Sequence, residues 1–68
     1  MTISEIAIRK LLIEAYAKIP DKNPIYTYRK PTIEEAVNLA EVLMEGKEVG
    51  YVVIVDEVSD TILHEYQK

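Results

Sequence analysis

Gly50-Tyr51-Val52-Val53-Ile54-Val55-Asp56 holds five consecutive apolar residues, four of them β-branched, between a glycine and an aspartate. In an extended chain Tyr51, Val53 and Val55 point to one side and Val52 and Ile54 to the other. A strand apolar on both faces is one that other elements cover on both sides. The run is short for a helix, and its β-branched content favours the pleated conformation. The segment therefore predicts a central strand, with the remaining elements arranged around it.

On the C-terminal side, Asp56, Ser59 and Asp60 are turn formers between two apolar stretches. They predict a hairpin with a loop of about four residues. With Asp56 facing Thr61, Val55 meets Ile62, Val53 meets His64 and Tyr51 meets Tyr66. Ile54 then meets Leu63, and Val52 meets Glu65. A slip of one residue would exchange the faces of the last strand.

On the N-terminal side, Thr32 followed by Glu35 has the form of a capping box after Pro31. Ile33, Ala36, Val37, Leu39, Ala40, Leu43 and Met44 then fall on one arc, with Glu34, Glu35, Asn38, Glu41 and Glu45 opposite. Gly46 is expected to close this helix in the left-handed conformation. Thirteen residues from Ile33 to Glu45 would run about 20 Å, close to the span of a six-residue strand.

Ile25-Tyr-Thr-Tyr-Arg-Lys30 is the other strand candidate in the middle of the chain. Its charged end and its flanking Pro24 and Pro31 suit an edge position. The chain opens with a second capping-box pattern, Thr2 and Glu5, followed by Ala7, Ile8, Leu11, Leu12, Ala15 and Ile19 at helical spacing. Ile6, Ile13 and Tyr16 fall off that face. Pro20 would end this helix, and Asp21-Lys22-Asn23-Pro24 reads as a turn.

The expected architecture is thus α+β: a small single domain over residues 1–68, ordered helix-strand-helix-strand-strand. Its three-stranded mixed sheet has the 50–56 strand in the centre, both helices on one face and a C-terminal β-hairpin. The strand 25–30, helix and strand 50–56 would form a short right-handed βαβ unit. Insertion of the third strand between the other two is the alternative order.

Composition narrows the function classes. The chain has 68 residues, 49% of them hydrophobic, which is ordinary for a globular protein. Cysteine is absent, so disulfides and thiolate metal sites are excluded. No apolar run approaches the roughly 18–20 residues that span a bilayer, and the first residues lack a signal peptide's layout. A soluble, cytoplasmic protein without membrane attachment is expected. A chain this short gains little net stability from one core, which favours self-association.

The net charge is −4 and unevenly spread. Residues 1–31 hold six bases against three acids, a balance of +3, and residues 32–68 hold two bases against nine acids, a balance of −7. Such asymmetry marks a basic contact surface, a chain that attracts its own copies, or simply solvated faces.

Catalytic chemistry is thin. His64 is the one histidine. Ser4 and Ser59 lie in a helix start and a turn, without the strand-to-helix elbow that presents a nucleophile. Gly46-Lys47-Glu48-Val49-Gly50 follows a helix, whereas a phosphate cradle precedes one. Asp56, Glu57 and Asp60 lack the alternating ligands and closing glutamate of a calcium loop. No catalytic residue, cofactor or metal is therefore assigned.

Tyr26, Tyr28, Arg29 and Lys30 carry more. Aromatic and cationic groups together suit a protein contact or a single-stranded nucleic-acid platform, and the net acidity argues against nucleic acid. The function expected is a non-enzymatic protein-interaction or accessory module that forms a homo-oligomer, most simply a homodimer, and binds a partner protein through these four residues. A nucleic-acid-binding regulator using the basic N-terminal half is the alternative. The oligomer interface is expected at Tyr51, Val53, Val55, Ile62 and Tyr66, the apolar face left when the helices take the other, through two-fold pairing of sheet faces or of the last strand with its copy.

Overall fold

The structure is a computed structural model, which describes residues 11–18 and 22–68. In chain order it contains β1 (Leu11–Tyr16), β2 (Tyr26–Lys30), α1 (Ile33–Met44), β3 (Tyr51–Asp56) and β4 (Thr61–Gln67). The strands form one sheet in the order β2-β1-β3-β4, and every neighbouring pair is antiparallel. The class is α+β, with one helix over a four-stranded sheet among the described residues.

The largest correction lies at Leu11–Tyr16, expected within the first helix and found as strand β1. Leu11, Ile13 and Ala15 are buried, while Leu12, Glu14 and Tyr16 between them are half-buried. That is a period of two, not of 3.6. A helix had to leave Ile13 and Tyr16 off its apolar face, whereas the strand uses both sides. Pairing with β2 and β3 satisfies the backbone of β1 on both edges, and this tertiary gain overrides local preference. The expected capping pair Thr2–Glu5 and the rest of that helix up to Lys10, with Ile19, lie outside the described residues.

The insertion of β1 also changes the sheet. β2 and β3 were expected side by side in a mixed three-stranded sheet. Each instead pairs antiparallel with β1, which lies between them, so α1 crosses over an intervening strand. The central position of the 50–56 strand and the edge position of β2 are as expected. Ile25 N–H donates to the Ala15 carbonyl at 2.7 Å, carrying the β1–β2 ladder one step beyond β2.

α1 begins as its sequence dictates. Thr32 is the N-cap in extended conformation, and its hydroxyl oxygen accepts the Glu35 N–H at 3.2 Å. The hydroxyl in turn donates to the Glu35 carboxylate at 3.2 Å, so the return arm of the box goes to the side chain. The helix C-terminus differs from expectation. No described glycine has a positive φ; Glu45 caps the helix in right-handed conformation. The amides of Glu45 and Gly46 donate to carbonyls three residues back, at 3.1 and 3.0 Å. This tightened last turn satisfies carbonyls that a left-handed glycine would otherwise serve.

The helix packs on one face of the sheet. Ala36 and Ala40 are fully buried against Leu11, Ile13 and Ala15 of β1 and Val52 and Ile54 of β3, with Val49 in the connecting loop. Two alanines one turn apart let the helix axis come close to the strands, and Leu39, Leu43 and Met44 close the margins. Gly50 is fixed by a close approach of backbone. Its N–H donates to the Tyr16 carbonyl at 2.9 Å, and a Cβ there would overlap the Ala17 carbonyl oxygen.

The β3–β4 hairpin begins in the expected register and then departs from it. Asp56 faces Thr61 and Val55 faces Ile62, but Ile54 faces His64, Val53 faces Glu65 and Val52 faces Tyr66. A bulge between Ile54 and Val55 leaves Leu63 as the extra residue and shifts the remainder of β4 by one. The loop from Glu57 to Asp60 closes with Asp60 at φ 56°, a left-handed conformation that aspartate tolerates.

Candidate functional site

Direct cross-strand partners share a face, so the pairing sorts the side chains into two sides. The side away from α1, here called the open face because no described helix covers it, has three rows. One runs Arg29, Leu12, Val55, Ile62; the next Thr27, Glu14, Val53, Glu65; the third Tyr16, Tyr51, Gln67. Val53 is buried, Leu12, Tyr16, Tyr51 and Val55 are half-buried, and Ile62 is 55% exposed.

Four of the five expected interface residues, Tyr51, Val53, Val55 and Ile62, therefore lie together on this face. Tyr66 does not. The bulge turns it to the helix side, opposite Val52, where it packs against the core. Leu12, Glu14 and Tyr16 complete the open face and were missed, because this segment was read as helix. The available signal was the alternation in Leu11-Leu-Ile-Glu-Ala-Tyr16.

The rings and carboxylates of this face are tied together. Tyr16 and Tyr51 have ring centroids 5.8 Å apart at 45°. Tyr51 Oη donates to Glu65 Oε2 at 2.6 Å. That hydrogen bond, helped by burial, pushes the phenol up to about 12. Burial raises Tyr16 as well, reinforced by the charge of Glu14 and a hydrogen bond to it.

The second candidate set is split between the two sides. Tyr26, Tyr28 and Lys30 face Ala15, Ile13 and Leu11 on the helix side, while Arg29 faces Leu12 on the open face. The two tyrosine rings stack at 6.4 Å and stay exposed at 37% and 42%. Arg29 is committed elsewhere. Its Nε and Nη2 donate to the two carboxylate oxygens of Glu57 at 3.0 and 3.1 Å, a bidentate pair from edge strand to hairpin loop. The bond raises Arg29 and holds Glu57 below its ordinary value.

Asp56 and Glu57 are engaged within the protein's own structure. Asp56 Oδ1 accepts the Val58 N–H at 3.0 Å, an Asx turn, and Glu57 holds Arg29. Among the described residues no group of three or more His, Asp or Glu is arranged to hold a metal ion. His64 stands on the helix side of β4, its ring 6.3 Å from Tyr66. Gly46 serves the helix stop: its carbonyl accepts from Val49 N–H at 3.2 Å and from the Lys68 ammonium.

Edge geometry completes the surface. Lys68 N–H donates to the Gly50 carbonyl at 3.1 Å. By strand alternation the backbones of His64 and Tyr66 also turn toward β3, and those of Glu65 and Gln67 turn outward. Leu63 at the bulge is 39% exposed beside Ile62. Among the described residues no helix is long and apolar enough to cross a membrane. No family model, curated protein or solved structure matches the chain.

Proposed function

We propose that this protein is a small non-enzymatic binding module that associates with a second copy of itself and holds a partner protein. The observation that carries this is the β4 edge: seven residues without a proline, paired on one side only among the described residues, with Ile62 and Leu63 exposed beside it. A long edge with unpaired backbone is a template for another strand.

Antiparallel pairing of β4 about Tyr66 would set Glu65 opposite Gln67 of the second copy. Their outward amides and carbonyls would exchange hydrogen bonds, and the amide side chain of Gln67 would meet the Glu65 carboxylate. Pairing about Glu65 would put two carboxylates directly opposite, which is unfavourable. Stacking two open faces is disfavoured in the same way by Glu14 and Glu65. Of the two expected routes to a homodimer, the edge is therefore favoured over the face.

A nucleic-acid platform needs rings and cations on one surface. Here Arg29 lies on the opposite side from Tyr26 and Tyr28 and is bound to Glu57, which leaves Lys30 with the rings. The protein-binding reading is favoured for that reason. A cytoplasmic setting belongs to the same proposal and rests on the cysteine-free composition. Light scattering at ~100 μM, far above the micromolar dissociation constants worth about 8 kcal/mol, should return the mass of a dimer. A monomer at that concentration would overturn self-association.

A further inference from the structure

We propose that pairing of β4 with its copy builds a groove between two α1 helices, and that this groove takes one basic amphipathic helix of the partner protein. The inference rests on self-association through the β4 edge and adds the place and the chemistry of the partner.

The helix layer covers only part of its side of the sheet. Ala36 and Ala40 seat α1 over β1 and β3, and a helix about 10 Å across spans two strands ~4.8 Å apart. β4 lies outside that footprint. On its helix side His64 is exposed and Tyr66 is half-buried at the margin of the core. In a two-fold pair about Tyr66, directly opposite residues share a face, so both copies of α1 stand on the same side. Four strand spacings, about 19 Å, then separate the two helix axes. A third helix between them would lie about 9 to 10 Å from each, an ordinary interaxial distance.

One chain holds only half of this groove. The floor is Tyr66 and His64 of both copies, whose rings lie 6.3 Å apart within each chain. Tyr66 and its copy would form a non-hydrogen-bonded pair on the two-fold axis, with Cα atoms about 4.5 Å apart. The walls are the flanks of α1 that face β4. Glu41 identifies that flank: burial raises the Tyr66 phenol, and the charge of Glu41 raises it further. Glu34 and Glu45 share the flank at helical spacing, and all three glutamates are exposed. None of the twelve residues of α1 is basic. Lys68, the cation at the end of β4, is held at the Gly46 carbonyl.

Each wall is therefore acidic, above an aromatic floor. A helix with apolar residues on the tyrosines and lysine or arginine along both flanks meets carboxylates on each side. A cation that reaches the floor also gains the tyrosine rings. Nucleic acid would bring phosphates against the same glutamates, and an acidic helix would fare no better.

The test uses the full chain and a dye-labelled helical peptide with a leucine stripe flanked by lysines. A control peptide carries glutamate in place of every lysine. The lysine peptide should bind at least ten times more tightly than the control, with one peptide for every two chains. Glu41→Gln should reduce its affinity about fivefold, as expected of two exposed pairs, one from each copy. NMR shifts should map to Glu41, His64 and Tyr66, and Gln67→Pro, which separates the copies, should abolish binding. Equal affinity for both peptides, one peptide per chain, indifference to Glu41→Gln, or binding by monomeric Gln67→Pro would each overturn the groove. Assembly of dimers into tetramers that exclude the peptide would make further copies of this chain the occupant and overturn it too. Light scattering without peptide separates the two readings. A dimer that ignores the lysine peptide refutes the groove alone, and a monomer refutes self-association and the groove with it.

Discussion

The two edges of the sheet are built to opposite specifications. β2 is five residues long, stands between Pro24 and Pro31, and ends in Arg29 and Lys30. These are the features by which sheets discourage a further strand. Arg29 is in addition tied to Glu57. β4 is seven residues long and has no internal proline or lysine. Its one protective device is the bulge at Leu63, and the stretch from His64 to Gln67 beyond it pairs regularly with β3. One edge is built against neighbours, and no described strand pairs with the other. The contrast makes the β3–β4 side the place where the proposed association is expected.

The sharpest way to break this contrast is to close the open edge. Gln67→Pro removes an amide that turns outward and leaves the bonds of β4 to β3 in place. In a two-fold pair it deletes two intermolecular hydrogen bonds, each worth about 1 kcal/mol. Dimer affinity should fall on the order of tenfold to a hundredfold, with little change in the monomer's melting temperature. Lys68→Pro, which removes an inward bond to Gly50, should instead lower stability by about 1 kcal/mol. Analytical ultracentrifugation and thermal melts of the two variants separate the effects.

Opening the closed edge should do much less. Arg29→Met breaks the bidentate pair with Glu57, and because both side chains are about half exposed, solvent screening should keep the loss of stability small. Because the pair lowers the Glu57 pKa in the folded state, its contribution is present above the unfolded carboxylate value. It is lost as pH falls through the depressed folded value. Urea melts across the acidic range should show that dependence in the native chain and not in the variant.

The smallest expected effect concerns Glu65, which flanks the β4 edge. Tyr51 titrates at about 12, so the stability its hydrogen bond provides is intact below pH ~10 and lost as pH rises through the folded value. Glu65→Gln should bring the phenol down toward ordinary tyrosine, read by tyrosinate absorbance. Stability at neutral pH should change by less than about 1 kcal/mol.

How far the sequence reveals this contrast differs between elements. β3 is legible because β-branched residues apolar on both sides fit only a central strand, and α1 because Thr32 and Glu35 mark its start. The edge character of β2 follows from Pro24, Pro31 and the charges between them. β1 is not legible in the same way. Leu11, Leu12 and Ala15 satisfy a helical spacing, while Leu11, Ile13 and Ala15 satisfy a strand spacing, and pairing with β2 and β3 decides between them. That pairing depends on residues far away in the chain. The bulge at Leu63 carries no glycine to announce it, yet it moves Tyr66 from the open face to the core side. The open face was therefore seen in part, through Tyr51, Val53, Val55 and Ile62. Glu14 joined it only once β1 was in place, and Glu65 only once the bulge moved it from opposite Val52 to opposite Val53.

Hydrogen exchange at the two edges tests the contrast most directly. At ~100 μM the amides of Glu65 and Gln67 should exchange slowly despite facing outward, and speed up on dilution as the paired β4 strands separate. The outward amides of β2 should exchange rapidly at every concentration. Equal and concentration-independent exchange at both edges would contradict association through β4.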